Sequence, residues 1–358
     1  MKTIPKPAPS VNLKNKPAAG NATILDVARR AGVAPITVSR VINQSGYASP
    51  ATRARVEAAV AALGYVPNTL ARSLRSRRTH TLALVLTDIT NPFFTLAARG
   101  VEDTAAEAGF TLIVCNTDES EEKERRYVQM LLEKQVDGII LVPARGRIQS
   151  VRLVEAQHTP LVLLDRRLPG HRVDTVRCDS VGGAYQLTRH LLAGGHRHIA
   201  MLSGPKGVST ADDRIKGYCR ALSESGMKGG ELIRRGNFTC ESGAEMTREL
   251  LSLEPRPTAI FAANNFLAIG TLRTLHEAGI PVPGQVSVVA FDDLPANLLV
   301  EPFLSAASQP AYEMGQTAAR LLLDRVLQQS PSPPREIIVP PQIIVRQSST
   351  FLKHPVSS

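Results

Sequence analysis

Seven short aliphatic runs constrain the fold of this chain more than any other feature. They are TLALVLTD from Thr81, FTLIVCN from Phe110, VDGIILVPA from Val136, PLVLLD from Pro160, HIAMLSGP from His198, TAIFAANN from Thr258 and VSVVAFDD from Val286. Amphipathic stretches such as TLAARGVEDTAAEAG and KERRYVQMLLEKQ lie between them. A strand with one face in water alternates apolar and polar residues, so near-continuous Val, Ile and Leu means that both faces are covered. Strands of this kind joined by helices predict doubly wound parallel sheets with helices on both sides. Aromatic residues make up only 4% and tryptophan is absent, so aliphatic side chains must fill the core. The runs form two groups, which predicts two similar α/β subdomains.

Open parallel sheets bind ligands outside the carboxyl ends of their strands. The polar residues at those ends are therefore the candidates for a site: Asn91, Phe93 and Phe94 in TDITNPFF, Asp165 and Arg166 in LLDRR, Asn264 in FAANN, Asp292 in VAFDD and Gln309 in ASQP. Arg214 is expected in a loop within STADDRIKGY, and Phe238 follows an expected strand in RRGNFTCESG. The set suits a sugar. Carboxylates and amides grip vicinal diols, arginine adds charge-assisted donors, and phenyl rings stack on C–H faces. Arg166 and Arg214 together would also suit a sugar acid or a phosphosugar.

The first eighty residues are of another kind. They hold four lysines and nine arginines against Asp26 and Glu57, a surplus of eleven, while the remainder of the chain is nearly balanced. Charge confined to one compact module is the footprint of a nucleic-acid binder. Within it, ILDVARRAGVAPITVSRVINQSG reads as two short helices around Gly32, which can take the positive φ of a sharp turn. Val27 and Ala31 of the first helix face inward, Val33 plugs the gap, and Pro35 opens the second helix, where its missing N–H costs nothing. Val38, Val41 and Ile42 form the inward stripe, leaving Ile36, Thr37, Arg40 and Asn43 outward. Ser49 caps a third helix that starts with Pro50. This is a helix-turn-helix unit whose second helix is sized for a DNA major groove. Arg40 can donate to a guanine edge or a phosphate, and Thr37 and Ser39 to phosphate oxygens.

The segments TILDVARRAGVAPITVSRVIN, TRARVEAAVAALGYVPN, ARSLRS and RQSS resemble those of the lactose/galactose-repressor (LacI/GalR) family of bacterial transcription regulators, over everything after about Ala22. The resemblance implies an all-α helix-turn-helix DNA-binding headpiece plus hinge helix, followed by a periplasmic-binding-protein-like effector domain of two doubly wound parallel-sheet subdomains. The division it implies is a disordered basic tail at 1–21, the headpiece at 22–67, hinge and linker at 68–79, one subdomain at 80–178 plus 310–340, and the other at 179–309 plus 341–358. It also implies that Leu74 enters the minor groove from a hinge helix that folds on DNA. A helix of about two turns is marginal alone, and apolar wedges bend the duplex. By resemblance the DNA-contacting set is Thr23, Pro35, Ile36, Thr37, Ser39, Arg40, Asn43, Tyr65, Asn68, Ala71, Arg72, Leu74 and Arg75. The effector positions Asn91, Asp165, Arg166, Arg214, Asn264, Asp292 and Gln309 resemble those of ribose-type binding proteins. Asn265 departs, since many relatives carry a carboxylate there.

The expected function is a cytoplasmic, nucleoid-associated regulator, most often a repressor in this family, acting as a homodimer on pseudo-palindromic double-stranded operator DNA under a sugar or sugar-acid effector. The alternatives are control by a phosphoprotein corepressor, as in the catabolite-control branch, or a sugar-uptake binding protein. The N-terminus lacks the apolar stretch of an export signal, and no run reaches the roughly 18–20 apolar residues of a membrane span. No cofactor and no metal are expected. Cys115, Cys178, Cys219 and Cys240 are isolated, and His190, His196 and His198 lie where the family has an ordinary helix-to-strand turn. Nucleotide-binding and acyl-transfer signatures are absent, and no catalytic constellation stands out, so no enzymatic activity is expected. No leucine heptad follows Arg346, which argues against a tetramerising coil.

Overall fold

The computed structural model describes residues 22–43, 45–66, 78–145, 148–227, 229–294, 302–328 and 333–349. The expected tail at 1–21 and the hinge residues Asn68, Ala71, Arg72, Leu74 and Arg75 lie outside these. The chain divides into two compact units, one ending at Arg77 and the other beginning at Arg78.

The first unit holds α1 (Ile24–Ala31), α2 (Pro35–Ile42) and α3 (Pro50–Leu63). α1 starts two residues before the expected Asp26, because Thr23 and Asp26 form a capping box that satisfies backbone donors at both residues. Gly32 closes α1 at φ 62°. Pro50 opens α3, and the Ser49 hydroxyl accepts from the Thr52 amide. Val27, Ala28, Ala31, Val38, Val41, Val56 and Ala59 are buried together, with Val33, Ile42 and Tyr65 packed against them.

The second unit runs β1 (Thr81–Leu86), α4 (Pro92–Glu107), β2 (Thr111–Asn116), α5 (Glu121–Glu133), β3 (Gly138–Leu141), α6 (Gln149–Ala156), β4 (Leu161–Leu164), β5 (Asp174–Cys178), α7 (Ser180–Ala193), β6 (Ile199–Ser203), α8 (Ser209–Glu224), β7 (Leu232–Arg235), α9 (Cys240–Leu251), β8 (Ala259–Ala262), α10 (Asn265–Glu277), β9 (Ser287–Phe291), β10 (Ser305–Ser308), α11 (Ala311–Gln328), β11 (Glu336–Val339) and β12 (Gln342–Ile344). Two six-stranded sheets result, ordered β11-β5-β4-β3-β1-β2 and β12-β10-β9-β8-β6-β7. The chain leaves the first sheet after β5, returns from the second after β10, and crosses once more between β11 and β12.

The aliphatic runs behave as strands covered on both faces. Leu82, Leu84 and Leu86 of β1 face one core with Ala97 and Val101 of α4, while Ala83 and Val85 face another with Val128 and Leu131 of α5. The described sheets are parallel as expected, with one antiparallel pair, β12 against β10. Five strands, β5, β7, β10, β11 and β12, lie outside the seven runs. β5 reads DTVRC and escapes a hydrophobic pattern because its charges are neutralised in place. Arg325 of α11 binds Asp174 at 2.6 and 2.9 Å, and Arg177 binds Glu336 of β11 at 2.6 Å.

Candidate functional site

The two sheets repeat one strand order, so β4 and β9 are equivalent, and each ends in an aspartate. Asp165 and Asp292 have φ of 65° and 66°, a left-handed conformation that is uncommon outside glycine. The amide of Asp165 donates to Val176 O at 2.8 Å and that of Asp292 to Ala307 O at 3.0 Å, each reaching the next strand of its own sheet. The same local geometry thus turns two carboxylates into one cleft of about 470 Å³ between the lobes, within the range of small-molecule sites.

All ten residues selected from the strand ends line this cleft: Asn91, Phe93, Phe94, Asp165, Arg166, Arg214, Phe238, Asn264, Asp292 and Gln309. Arg214 reaches it from a different element than expected. STADDRIKGY is the start of α8 and not a loop, because Ala211, Tyr218, Ala221 and Leu222 recur at helical spacing and are buried. The Arg214 guanidinium lies 3.8 Å over the Phe291 ring, donates to Ala263 O at 2.6 Å and stands 3.6 Å from Asp292. Gln309 donates to Asp292 at 2.5 Å. The Phe93 and Phe94 rings meet edge to face at 5.0 Å, and Phe238 covers Gly204 so closely that a Cβ there would lie 2.3 Å from its ring.

Two of the ten also serve the fold. The Asn91 side chain caps α4 by accepting from the Phe93 amide, and Asn264 caps α10 by accepting from Leu267. Two pairings were not legible in the sequence, although Asn265 stands beside Asn264 at a strand end. Asn265 exchanges reciprocal amide hydrogen bonds with Asn91 at 3.2 and 3.0 Å, joining the lobes across the cleft. Glu119, at the end of β2, holds Arg166 through both terminal nitrogens at 2.7 and 2.6 Å. The strand-end rule reaches Glu119 in NTDES, but a pairing 47 residues away leaves no local trace.

Burial raises the carboxyl of Asp165 to about 6, against the opposing pull of Arg166 and Arg214. Burial likewise raises Asp292, opposed by Arg214 and the Gln309 hydrogen bond. Arg166 Nε, Arg214 Nε, Gln309 Oε1 and Thr87 Oγ1 are buried with no protein partner. Buried polar atoms are ordinarily satisfied, so a cleft with four such atoms and two raised carboxyls is built to receive hydrogen-bonding groups. A carboxyl raised in the folded state binds its proton more tightly than in the unfolded chain. Its contribution to stability therefore falls as pH rises from about 4 to about 6 and stays lost above that. Asp165→Asn, which tolerates the left-handed backbone, is expected to raise the melting temperature at pH 7.5 and to matter little at pH 4. Equal shifts at both values would count against this origin.

In the first unit the outward face of α2 carries Pro35, Ile36, Arg40 and Asn43, all exposed, with Thr37 and Ser39 half-buried. Ile36 is 51% exposed, an apolar side chain left in water on the helix that has no side-chain cap. Asn43 donates to the Ser39 hydroxyl at 3.2 Å. Thr23 is engaged in the α1 cap, and Tyr65 is half-buried against the helical core. Tyr47, not singled out from sequence, is 87% exposed. Among the described residues there is no cluster suited to a metal ion and no helix long and apolar enough to cross a membrane.

A basic three-helix headpiece joined to a two-lobed cleft defines a ligand-responsive DNA-binding regulator. Residues 23–68 match the family described as bacterial regulatory proteins, lacI family, and residues 79–352 match periplasmic binding proteins and sugar binding domain of LacI family. The chain belongs to the LacI family: it is a transcriptional repressor with a ligand-binding domain and not an enzyme. It is 36% identical over 329 residues to the HTH-type transcriptional repressor PurR of Photobacterium profundum, covering 91% of this chain and 98% of that one. It is 35% identical over 327 residues to the ribose operon repressor of Halalkalibacterium halodurans, covering 91% and 97%. Among solved structures, the lac repressor dimer bound to operator and the anti-inducer ONPF superimposes with a TM-score of 0.81 at 28% identity, covering 92% of this chain and all of that one.

Proposed function

We propose that this repressor acts as a homodimer on a near-palindromic operator in the bacterial cytoplasm, and that a sugar or sugar acid held between its lobes controls that binding. The observation that carries the effector reading is the convergence of Asp165, Asp292 and the unpaired buried atoms of Arg166, Arg214 and Gln309 on one cleft with phenyl rings on its walls. Vicinal hydroxyls supply donors to the carboxylates and acceptors to the guanidiniums, and C–H faces suit Phe93, Phe94 and Phe238. The LacI family transcriptional regulator from Enterococcus faecium solved with bound ribose, 32% identical to this chain, is in keeping with this chemistry. The lobes are the subdomains at 80–178 plus 310–340 and at 179–309 plus 341–358. An effector that binds one lobe arrangement better than the other shifts operator affinity by roughly 5–150-fold.

On DNA, Arg40 reads a base edge or phosphate, Thr37 and Ser39 hold phosphates, and Pro35, Ile36 and Asn43 complete the groove face. Thr23 and Tyr65 border it, and Asn68, Ala71, Arg72, Leu74 and Arg75 form the minor-groove segment. Arg40→Ala is expected to weaken operator binding by about tenfold or more, as loss of a good base contact costs about 1–3 kcal/mol. A gel shift on the operator at fixed salt measures it, and unchanged affinity would remove Arg40 from the interface. A thermal-shift screen of the full chain against neutral sugars and sugar acids tests the effector class. No stabilisation by any of them would overturn it.

A further inference from the structure

Which charge the effector carries is written in the pairing of Arg166. Its two terminal nitrogens both bind the carboxylate of Glu119, at 2.7 and 2.6 Å, and one of them also donates to Pro143 O at 3.1 Å. The fork with which arginine grips a carboxylate or phosphate bidentately is therefore occupied. What Arg166 leaves open is Nε, buried and without a hydrogen-bond partner in the protein, 3.8 Å from the Asp165 carboxylate. A single N–H beside a carboxylate suits a hydroxyl, which accepts from one and donates to the other.

The charge count agrees. Inside the cleft, Glu119, Asp165 and Asp292 face only Arg166 and Arg214, and Arg214 is itself 3.6 Å from Asp292. The lining also carries Asp88 and Asp118 against the single positive charge of Arg145 in the count, and Lys123 pairs with Asp118. An incoming anion meets an acidic surplus, and the Arg166 fork is already filled by Glu119.

We propose that Glu119 is the specificity-determining residue of this cleft: by occupying the Arg166 fork it converts an anion receptor into a hydroxyl donor, so that the repressor takes uncharged polyols and rejects uronates and sugar phosphates. The polyol half of this inference rests on the sugar reading above; the charge filter does not. Rejection of the wrong ligand through an unpaired like charge is a common route to selectivity.

The test uses the full chain and sodium sulfate as the anion, with sodium chloride at matched ionic strength as reference. Thermal-shift titration of the natural protein is expected to show no saturable sulfate effect beyond chloride. Glu119→Gln removes the negative charge and one of the fork's two acceptors, and is expected to bind sulfate at least about tenfold more tightly. Adding Arg166→Ala to that variant is expected to remove the gain, which assigns it to the cleft and not to the basic headpiece. A Glu119→Gln variant that folds and gains no sulfate affinity overturns the proposal. Should that variant fail to fold, calorimetry on the natural protein decides, with D-glucose against D-glucuronate, D-galactose against D-galacturonate and D-ribose against ribose 5-phosphate. The neutral member is expected to bind at least about tenfold tighter in any pair that binds, and an equal or tighter charged member overturns the proposal. If the sulfate arm behaves as expected but no neutral sugar binds, the filter stands and the sugar reading fails.

Discussion

Asp292→Asn is expected to leave a repressor that binds operator without responding to effector. The carboxylate accepts from Gln309 at 2.5 Å and faces the Arg214 guanidinium at 3.6 Å, with both partners on the cleft wall. Removing its charge takes away the carboxylate nearest to Arg214, whose other contacts are Ala263 O and the Phe291 ring. It also turns one of the two carboxylate acceptors into an amide donor, so an effector hydroxyl loses a charged acceptor. Loss of one partner of a buried charged pair costs about 2 kcal/mol or more in binding, roughly 30-fold or more in Kd. That exceeds the concentration range over which a typical effector works. Asparagine is the informative substitution because it accepts the φ of 66° at this position. Alanine would add backbone strain of about 1–2 kcal/mol and confuse the result. The measurement is the operator-binding midpoint with and without saturating effector. A shift of natural size in the variant would place the ligand elsewhere in the molecule.

Asp292 also shows what the sequence made legible and why. An aliphatic run ending in polar residues marks the carboxyl end of a buried strand, and parallel sheets gather those ends on one edge. That rule alone brought residues from Asn91 to Gln309 to a common cleft, 218 positions apart in the chain. It worked because the signal and the site share a cause: the strand stops being apolar where it emerges from the core. The same logic failed for Arg214, which lies on a helix whose apolar stripe is interrupted by Asp212 and Asp213 in and after its first turn. There the polar residues mark a helix N-terminus and not a loop. It failed again for β5, whose Asp174 and Arg177 are charged inside a sheet because α11 and β11 bring partners from more than 150 residues away. Long-range neutralisation of this kind has no local signature. The pairings of Glu119 with Arg166 and of Asn265 with Asn91 were out of reach for the same reason: both residues stand at strand ends, but their partners lie far along the chain.

Long-range packing also sets the largest expected loss of stability. α11 enters the first lobe after the chain has built the second, and it docks on α4 through two glycines. A Cβ on Gly100 would lie 2.1 Å from Tyr312 O, and one on Gly315 would lie 2.1 Å from Ala97 O. The obstacle on each side is backbone, which cannot rotate away. Gly315→Ala gains about 1 kcal/mol of helix propensity but forces the helices apart against a close-packed core, where overpacking costs about 1–3 kcal/mol and occasionally more. With the obstacle a backbone carbonyl oxygen only 2.1 Å away, the upper end applies and packing wins. A net loss of about 2 kcal/mol corresponds to a melting temperature lower by roughly 4–8 °C for a domain of this size. Gly100→Ala is expected to cost a similar amount, yet the double variant should lose less than the sum, because one separation of the helices relieves both clashes. Strict additivity would show that the two glycines do not share a contact. The separation has a functional reach as well. Gln309 precedes α11 by one residue, Pro310, so moving the helix moves the side chain that holds Asp292. Gly315→Ala should therefore weaken effector binding along with stability, whereas a variant that lowered stability without touching the cleft would leave effector affinity at the natural value when measured well below the melting point.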